Sequence, residues 1–275
     1  MKKLFVLILF AATFVSCSMP KTDGRRIITV SIEPLRFFAE QIAGDKFEVK
    51  TMVPKGNNPE TYEPTAQQMV DLALSDIYIK VGNIGFERTW MKKLELNAPH
   101  TIIIDSSDGI VPAKSINGIN DPHTWMSCLN AITIAKNIYH SLAEIDSKDS
   151  IYFKQNLENL VIKIEETDTK IRGNLTKDKN PSFLIYHPAL TYYAIEYGLT
   201  QIPIEEEGRE PSATQLKNII TLAKAKKVKT IFVQKEFSNR NSKMVAESVG
   251  AKEEEINPLN YDWDKEMVKI SESLR

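Results

Sequence analysis

Residues 150–175, SIYFKQNLENLVIKIEETDTKIRGNL, form the longest uninterrupted helical pattern in this chain. The stretch contains no proline, and its first glycine is Gly173. Its apolar residues fall mostly three, four or seven positions apart, which places them on one face of a helix. These residues are Ile151, Leu157, Leu160, Val161, Ile164 and Ile171. At about 1.5 Å per residue the helix is about 35–40 Å long, so we predict a stiff connector rather than a hinge.

Short β-branched runs, each followed by a helical pattern, lie on both sides of this helix. Such alternation is typical of βα units that form a parallel sheet. The predicted strands are residues 27–32, 47–53, 77–81 and 101–105 before the helix, and residues 182–186, 201–205, 230–234 and 253–257 after it. Capping boxes, in which a hydroxyl and a glutamine satisfy N–H groups at a helix start, are predicted at Thr65 with Gln68 and at Ser212 with Gln215.

The fold class that follows is α/β: two βα lobes, each with a mainly parallel four-stranded sheet, bridged by one long rigid α-helix. We predict an N-terminal lobe over residues 27–147, a linking helix over residues 148–176 and a C-terminal lobe over residues 177–275. A length of 275 residues is enough for two such domains. With 35 basic and 36 acidic residues the net charge is -1, so no nucleic-acid partner is expected.

The N-terminus has the pattern of a bacterial lipoprotein signal. Two lysines precede an apolar run over residues 4–15, and Cys17 follows closely. A run of about a dozen apolar residues suits a secretory signal and is shorter than the roughly 20 residues that span a bilayer. We predict that residues 1–16 are a signal peptide and that residues 17–26 form a lipidated tether, with ordinary secretion as the alternative. Cys128 then has no disulfide partner, and we assign it no role.

Three short segments each place a metal-capable side chain beside a proline: residues 58–62 (NPETY), 121–125 (DPHTW) and 186–189 (YHPA). The proline restricts the backbone, which lowers the entropy lost when an ion fixes the side chain. Glu60 and His187 follow predicted strands, and His123 precedes a helix. Because ligands of open α/β sheets bind beyond the carboxyl ends of the strands, we predict that these side chains meet in one cleft between the lobes. The remaining histidines, His100 and His140, are expected to be structural.

The chain resembles, in segments spread over the whole mature sequence, the zinc and manganese substrate-binding lipoproteins of ABC transporters. The matching segments are residues 52–65 (MVPKGNNPETYEPT), 121–125, 186–190 (YHPAL) and 210–212 (EPS). The resemblance implies two βα lobes bridged by a rigid helix, with a divalent metal ion held between them. It implies a lipid-anchored monomer, on the periplasmic or extracellular face of the bacterial cytoplasmic membrane, that delivers the ion to a permease.

The resemblance also implies a set of metal ligands. The second and third histidines of the family match His123 and His187, whereas the first histidine falls on Glu60. The fourth ligand, normally a carboxylate, falls on Asn257, whose amide oxygen is a weaker and neutral ligand. The fourth position then goes to Asn257, to a water, or to a nearby carboxylate. The candidates for that carboxylate are Glu206, Glu207 and Glu236.

The choice of metal follows from the ligand types. Two imidazoles with one carboxylate suit Zn²⁺ in a four-coordinate site, and zinc is the expected ion. Additional oxygen ligands would shift the preference toward Mn²⁺ or Fe²⁺. Zinc-specific relatives often carry a histidine-rich loop before the second ligand, but residues 106–120 contain no histidine. Manganese and iron(II) are therefore kept as alternatives.

The leading functional hypothesis is a binding protein without enzymatic activity. Two histidines and one glutamate also form a catalytic zinc set, so a secreted zinc hydrolase is a second hypothesis. The sequence lacks the His-Glu-x-x-His motif, and its candidate ligands are dispersed along the chain. A third hypothesis keeps the two-lobed scaffold but assigns it an iron chelate, a corrinoid or an adhesive role.

Overall fold

Two parallel β-sheets of the same topology organise the molecule. The first contains β1 (Arg26–Val30), β2 (Phe47–Thr51), β3 (Ile77–Lys80) and β4 (Ile102–Asp105), in the order β2-β1-β3-β4. The second contains β5 (Ser182–Ile185), β6 (Thr200–Pro203), β7 (Thr230–Gln234) and β8 (Lys252–Ile256), in the order β6-β5-β7-β8. All neighbouring strands are parallel. The predicted α/β class with two four-stranded sheets is confirmed.

The computed structural model describes residues 24–114, 118, 120–175, 182–205, 209–234 and 240–275. The predicted signal peptide and the predicted lipidation site, Cys17, lie outside the described residues. No helix in these described ranges combines the length and the apolar character that crossing a bilayer requires.

Helices connect the strands and cover the sheets. They are α1 (Glu33–Ala43), α2 (Ala66–Ala73), α3 (Gly85–Asn97), α4 (Cys128–Ile145), α5 (Ser150–Asn174), α6 (Thr191–Tyr197), α7 (Ala213–Ala225), α8 (Arg240–Val249) and α9 (Trp263–Glu272). Both predicted capping boxes are present, because Thr65 and Ser212 each exchange side-chain and backbone hydrogen bonds with the glutamine three residues later. These bonds satisfy N–H groups that a helix start leaves without a partner.

The long connector is α5, which runs for 25 residues and bridges the lobes as predicted. Its buried stripe differs from the predicted one at the first position, because Ile151 is 83% exposed and Phe153 is buried instead. From Phe153 the apolar residues continue four and three positions apart, through Leu157, Leu160 and Ile164. Ile151 lies two residues before this stripe, about 200° around the helix axis, and so points away from the core.

The last helix extends the core across the two lobes. Trp263, at the start of α9, packs against Phe37 and Phe38 of α1 with ring centroids 6.2 and 5.1 Å apart. Met267 and Ile270 belong to the same buried cluster. The chain therefore returns from the second sheet to the first, and one continuous apolar core fixes the two sheets relative to each other.

The indole N–H groups of two tryptophans form hydrogen bonds between the lobes. The Trp125 indole N–H donates to the carbonyl of Pro258, and the Trp263 indole N–H donates to the carbonyl of Trp125, both at 2.8 Å. Both rings are buried. Because Trp125 follows His123 by two residues, these two hydrogen bonds hold the loop that carries His123 against the second lobe.

A buried carboxylate fixes the start of α3. Glu87, 1% exposed, accepts hydrogen bonds from the Ser31 hydroxyl and from the N–H groups of Val81 and Gly82. Burial raises the pKa of Glu87, and these three donors counter part of that rise. The contacts join α3 to the carboxyl ends of β1 and β3.

We expect Trp263→Phe to lower the free energy of unfolding by about 1–3 kcal/mol, because the buried Trp125 carbonyl loses its donor and the smaller ring leaves a gap. Urea unfolding followed by far-UV circular dichroism measures this loss. Trp90→Phe, at a half-buried position on α3, is the matched control. Equal losses of unfolding free energy in both variants would contradict the proposed importance of the Trp263–Trp125 hydrogen bond.

Candidate metal centre

His187 lies at the point where the second sheet reverses its strand order. It follows β5 closely, and its backbone is held by the side chain of Gln234 at the end of the neighbouring β7. The Gln234 amide donates to the His187 carbonyl at 2.7 Å, and the His187 N–H donates to the Gln234 amide oxygen at 3.3 Å. Because the connections from β5 and β7 leave on opposite sides, a crevice opens there.

His123 reaches the same crevice from the loop between β4 and α4. Its backbone N–H donates to Asp121 Oδ1 at 2.8 Å, and its ring Nδ1 lies 2.8 Å from the same oxygen. The Nε2 atoms of His123 and His187 lie 3.3 Å apart. The structure therefore brings the two predicted histidines together, one from each side of the cleft.

A buried carboxylate contacts the outer nitrogen of each imidazole. Asp121 bonds His123 Nδ1, and Glu205 Oε1 lies 2.5 Å from His187 Nδ1. Both carboxylate side chains are 4% exposed. Since an ionised carboxylate can only accept, each Nδ1 carries the hydrogen and each Nε2 presents a lone pair in the neutral ring.

The two Nε2 lone pairs therefore face each other at 3.3 Å. Such an arrangement is repulsive unless a proton or a metal cation lies between the nitrogens. Burial opposes a charge on His123, but Asp121, with a contribution from Glu60, outweighs burial and raises the pKa of His123. Burial favours the neutral acid at Asp121, yet His123 outweighs burial and lowers the pKa of Asp121.

Glu60 lines the cleft from the loop after β2. The Asn58 side chain accepts from the Glu60 N–H at 2.9 Å, and the Phe86 N–H at the start of α3 donates to the Pro59 carbonyl at 2.8 Å. Glu60 packs so closely on α3 that a Cβ at Gly85 would lie 2.5 Å from Glu60 Oε2. Glycine at position 85 is therefore required for the observed position of the carboxylate.

The cleft combines residues of both lobes. They are Asn58, Pro59, Glu60, His123, Trp125, His187, Ala189, Gln234, Pro258 and Leu259. Three of the four predicted site residues line this cleft, and imidazole and carboxylate groups suit a divalent cation. The ligand atoms of Glu60, His123 and His187 do not all lie within 4.8 Å of one another. The two histidines expected to be structural, His100 and His140, are both exposed.

Asn257, the fourth predicted site residue, does not line this cleft. Its amide oxygen accepts from the Leu259 N–H at 3.0 Å, and its backbone N–H donates to Glu266 at 2.7 Å. Asparagine side chains form such local turns readily, and here the turn occupies the oxygen that the prediction assigned to a metal. The cleft wall is formed instead by Pro258 and Leu259. The alternative carboxylates Glu206, Glu207 and Glu236 lie outside the described residues.

Sequence reasoning missed the two carboxylates behind the histidines. Asp121 stands in the DPHTW segment, but it received no role. The β5–β6 register places Ile185 beside Pro203, and its continuation by two residues places His187 beside Glu205. The sequence analysis predicted a parallel sheet but neither this pairing nor its register, so it could not place Glu205 beside His187.

Comparison with known proteins identifies the family. A family model described as the zinc-uptake complex component A, periplasmic, matches residues 28–268. The chain belongs to this family. The resemblance to metal-binding ABC transporter lipoproteins is thereby confirmed.

Individual members of the family are similar along most of the chain. ZnuA of Bacillus subtilis (strain 168), a high-affinity zinc uptake system protein, is 28% identical over 257 residues, which cover 87% of this chain and 80% of that protein. PsaA of Streptococcus mitis, a manganese ABC transporter substrate-binding lipoprotein, is 28% identical over 268 residues, covering 90% and 86%. A crystal structure of ZnuA superposes with a TM-score of 0.86 at 35% identity, covering 90% of this chain and 97% of that one.

A separate group of metal-capable side chains lies near the start of α4, where Cys128, Asp168 and Glu196 offer ligand atoms within 4.8 Å of one another. Burial raises the pKa of the Cys128 thiol to about 12, so the sulfur is protonated at neutral pH. Glu196 accepts from the Leu129 N–H, and Asp168 accepts from Tyr197 and Arg172. These contacts fit stabilisation of the α4 N-terminus.

If His187 binds a metal ion, we expect Glu205→Gln to weaken the binding of added Zn²⁺ about 10-fold or more. The uncharged amide can present either its oxygen or its NH₂ group to Nδ1, so it holds the Nδ1–H form of His187 less firmly. Competition with a fluorescent chelator measures the change. Glu253→Gln, an exposed charge change in the same lobe, is the control. Wild-type affinity in Glu205→Gln would show that the carboxylate does not support the histidine.

Proposed function

We propose that this protein is the extracytoplasmic substrate-binding component of an ABC importer, and that it captures one divalent metal ion between its lobes for delivery to a permease. The observation that carries the proposal is the pair of imidazole Nε2 atoms facing each other at 3.3 Å, each with its Nδ1 held by a buried carboxylate. A cation between the two nitrogens removes the repulsion between their lone pairs.

We assign the ion to His123 and His187, and to Glu60 once its carboxylate has moved closer to the two imidazoles. For Zn–N bonds of about 2.0–2.1 Å and a tetrahedral angle, two ligand nitrogens lie about 3.3–3.4 Å apart. The separation of 3.3 Å between the Nε2 atoms matches that value. Water, or a carboxylate from the segments after Glu205 and Gln234, would complete the shell. Asn257 would have to leave its bond with Leu259 to do so.

Zinc is the ion that we propose first, with manganese or iron(II) as the alternative. Zinc fits the two imidazoles and the name of the family. Manganese fits the carboxylate at Glu60 and the name of the PsaA relative. The secreted zinc hydrolase has no support from the family, and we do not propose it.

We further propose that the mature protein is a monomer anchored through lipidated Cys17 on the outer face of the cytoplasmic membrane. The basic start, the apolar run and the position of Cys17 support this location. A lipid anchor would keep the protein close to its permease and raise the frequency of productive encounters.

Metal analysis tests the function directly. Protein stripped with chelator and then exposed to zinc should hold about one ion per chain, and Glu60→Ala and His187→Ala should each lose most of it because they remove a ligand. Inductively coupled plasma mass spectrometry gives the stoichiometry after gel filtration. His140→Ala, an exposed histidine, is the control. Full retention of zinc in His187→Ala would exclude the proposed site.

The pH dependence of metal binding follows from His123, which must be neutral to coordinate an ion. Because its pKa is raised in the folded protein, protonation stabilises the metal-free fold at low pH, and this gain is lost as the pH rises through the folded pKa. Metal-loaded protein should show the opposite trend, because protonation of His123 displaces the ion. We therefore expect the gap in melting temperature between the loaded and metal-free forms to shrink from about pH 8 to about pH 5. A constant gap would contradict a histidine ligand.

A further inference from the structure

Glu60 has a cationic neighbour, Arg88. Arg88 Nη2 lies 3.4 Å from Glu60 Oε2, the carboxylate oxygen that also packs against Gly85. The second guanidinium nitrogen, Nη1, donates to the backbone carbonyl of Asn83 at 2.7 Å. Arg88 is thus held beside the carboxylate by a backbone contact that does not involve Glu60.

The pair lies at the solvent side of the cleft. The Arg88 side chain is 51% exposed and the Glu60 side chain is 25% exposed, whereas the carboxylates behind the two histidines are 4% exposed. An exposed ion pair contributes little to stability and exchanges readily, because water solvates either partner when the pair opens. Of these carboxylates, Glu60 is the one that can change partners without leaving a buried charge unpaired.

We propose that Arg88 is a displaceable counter-ion of Glu60, which competes with the divalent cation for this carboxylate and so lowers metal affinity and speeds release. The inference rests on the proposed function, because it requires that Glu60 bind the ion. In the metal-free protein Arg88 forms an ion pair with Glu60, and this ion pair breaks when the incoming cation binds the carboxylate. The hydrogen bond from Arg88 to the Asn83 carbonyl keeps the guanidinium near the carboxylate, so the ion pair with Glu60 can form again when the ion leaves.

This role would solve a problem that the rigid scaffold creates. The hydrogen bonds of Trp125 and Trp263 and the continuous core resist a wide opening of the lobes, so release of the ion needs a local step. The transfer of Glu60 from the metal ion to the guanidinium needs only side-chain rotations of exposed Arg88 and half-buried Glu60. It weakens the binding of the ion without moving His123 and His187.

Arg88→Gln tests the inference. Removing one positive charge several ångströms from a divalent ion in a mostly aqueous setting should tighten zinc binding roughly 3- to 10-fold, and should slow transfer to a chelator by a similar factor. Titration calorimetry and stopped-flow mixing with a coloured chelator give the two values. Lys92→Gln removes the same charge from an exposed position on α3 and is the matched control.

A double variant separates competition for Glu60 from simple charge repulsion. In a Glu60→Gln background, the gain from Arg88→Gln should fall by at least about half, because there is no carboxylate left to compete for. Arg88→Lys, which keeps the charge, should stay near the wild-type affinity. An unchanged gain in the Glu60→Gln background would overturn the inference. So would an effect of Arg88→Gln no larger than that of Lys92→Gln.

These outcomes are distinct from failure of the proposed function. If the wild-type protein binds neither zinc nor manganese, the proposed function fails, and the inference fails with it. If the wild-type protein binds the ion and Arg88→Gln matches Lys92→Gln in affinity and release, only the role of Arg88 is refuted.

Discussion

The hydrogen bonds of Trp125 and Trp263 are the constraint on which the site depends. Each indole N–H donates to a backbone carbonyl of a segment on the other side of the cleft, and a backbone acceptor cannot move without moving its chain. The distance of 3.3 Å between the two histidine nitrogens is therefore set by the packing of the lobes. Together with the 25-residue helix α5, these hydrogen bonds form the cleft when the chain folds, so the cleft does not depend on closure of the lobes around a ligand.

The charges of the site follow from this fixed geometry. Asp121 and Glu205 are buried next to imidazoles, and a buried carboxylate without a partner is costly. The Nδ1–H groups satisfy them, but this leaves two lone pairs opposed across the cleft. Strain of this kind is relieved by any cation, either a proton or a metal ion. In the proposed site, the carboxylates that orient the imidazoles thus make a proton and a metal ion compete for the same two nitrogens.

Much of the fold was predictable because its signals are local. Alternation of β-branched runs with helical patterns predicts the strands, and the hydroxyl-glutamine pairs predict the starts of α2 and α7. The return of α9 to α1 was not predictable, because amphipathic periodicity identifies a buried face but does not identify its partner. Ile151 is a different case, because the helical spacing already favours Phe153. Phe153 lies four positions before Leu157, whereas Ile151 lies six positions before it and so falls off the stripe.

The residues of the candidate site also differ in how far the sequence predicts them. His123 and His187 follow from their positions at strand and helix ends, but Asn257 was assigned by resemblance, and its own turn occupies it. The resemblance implies a carboxylate at this turn and a histidine at position 60. This chain has the carboxylate at position 60, so the formal charge of the implied set is retained but lies at the solvent side of the cleft. There Arg88 can neutralise it, so under the proposed function the two replacements change where the ion is held weakly and not how many charges hold it.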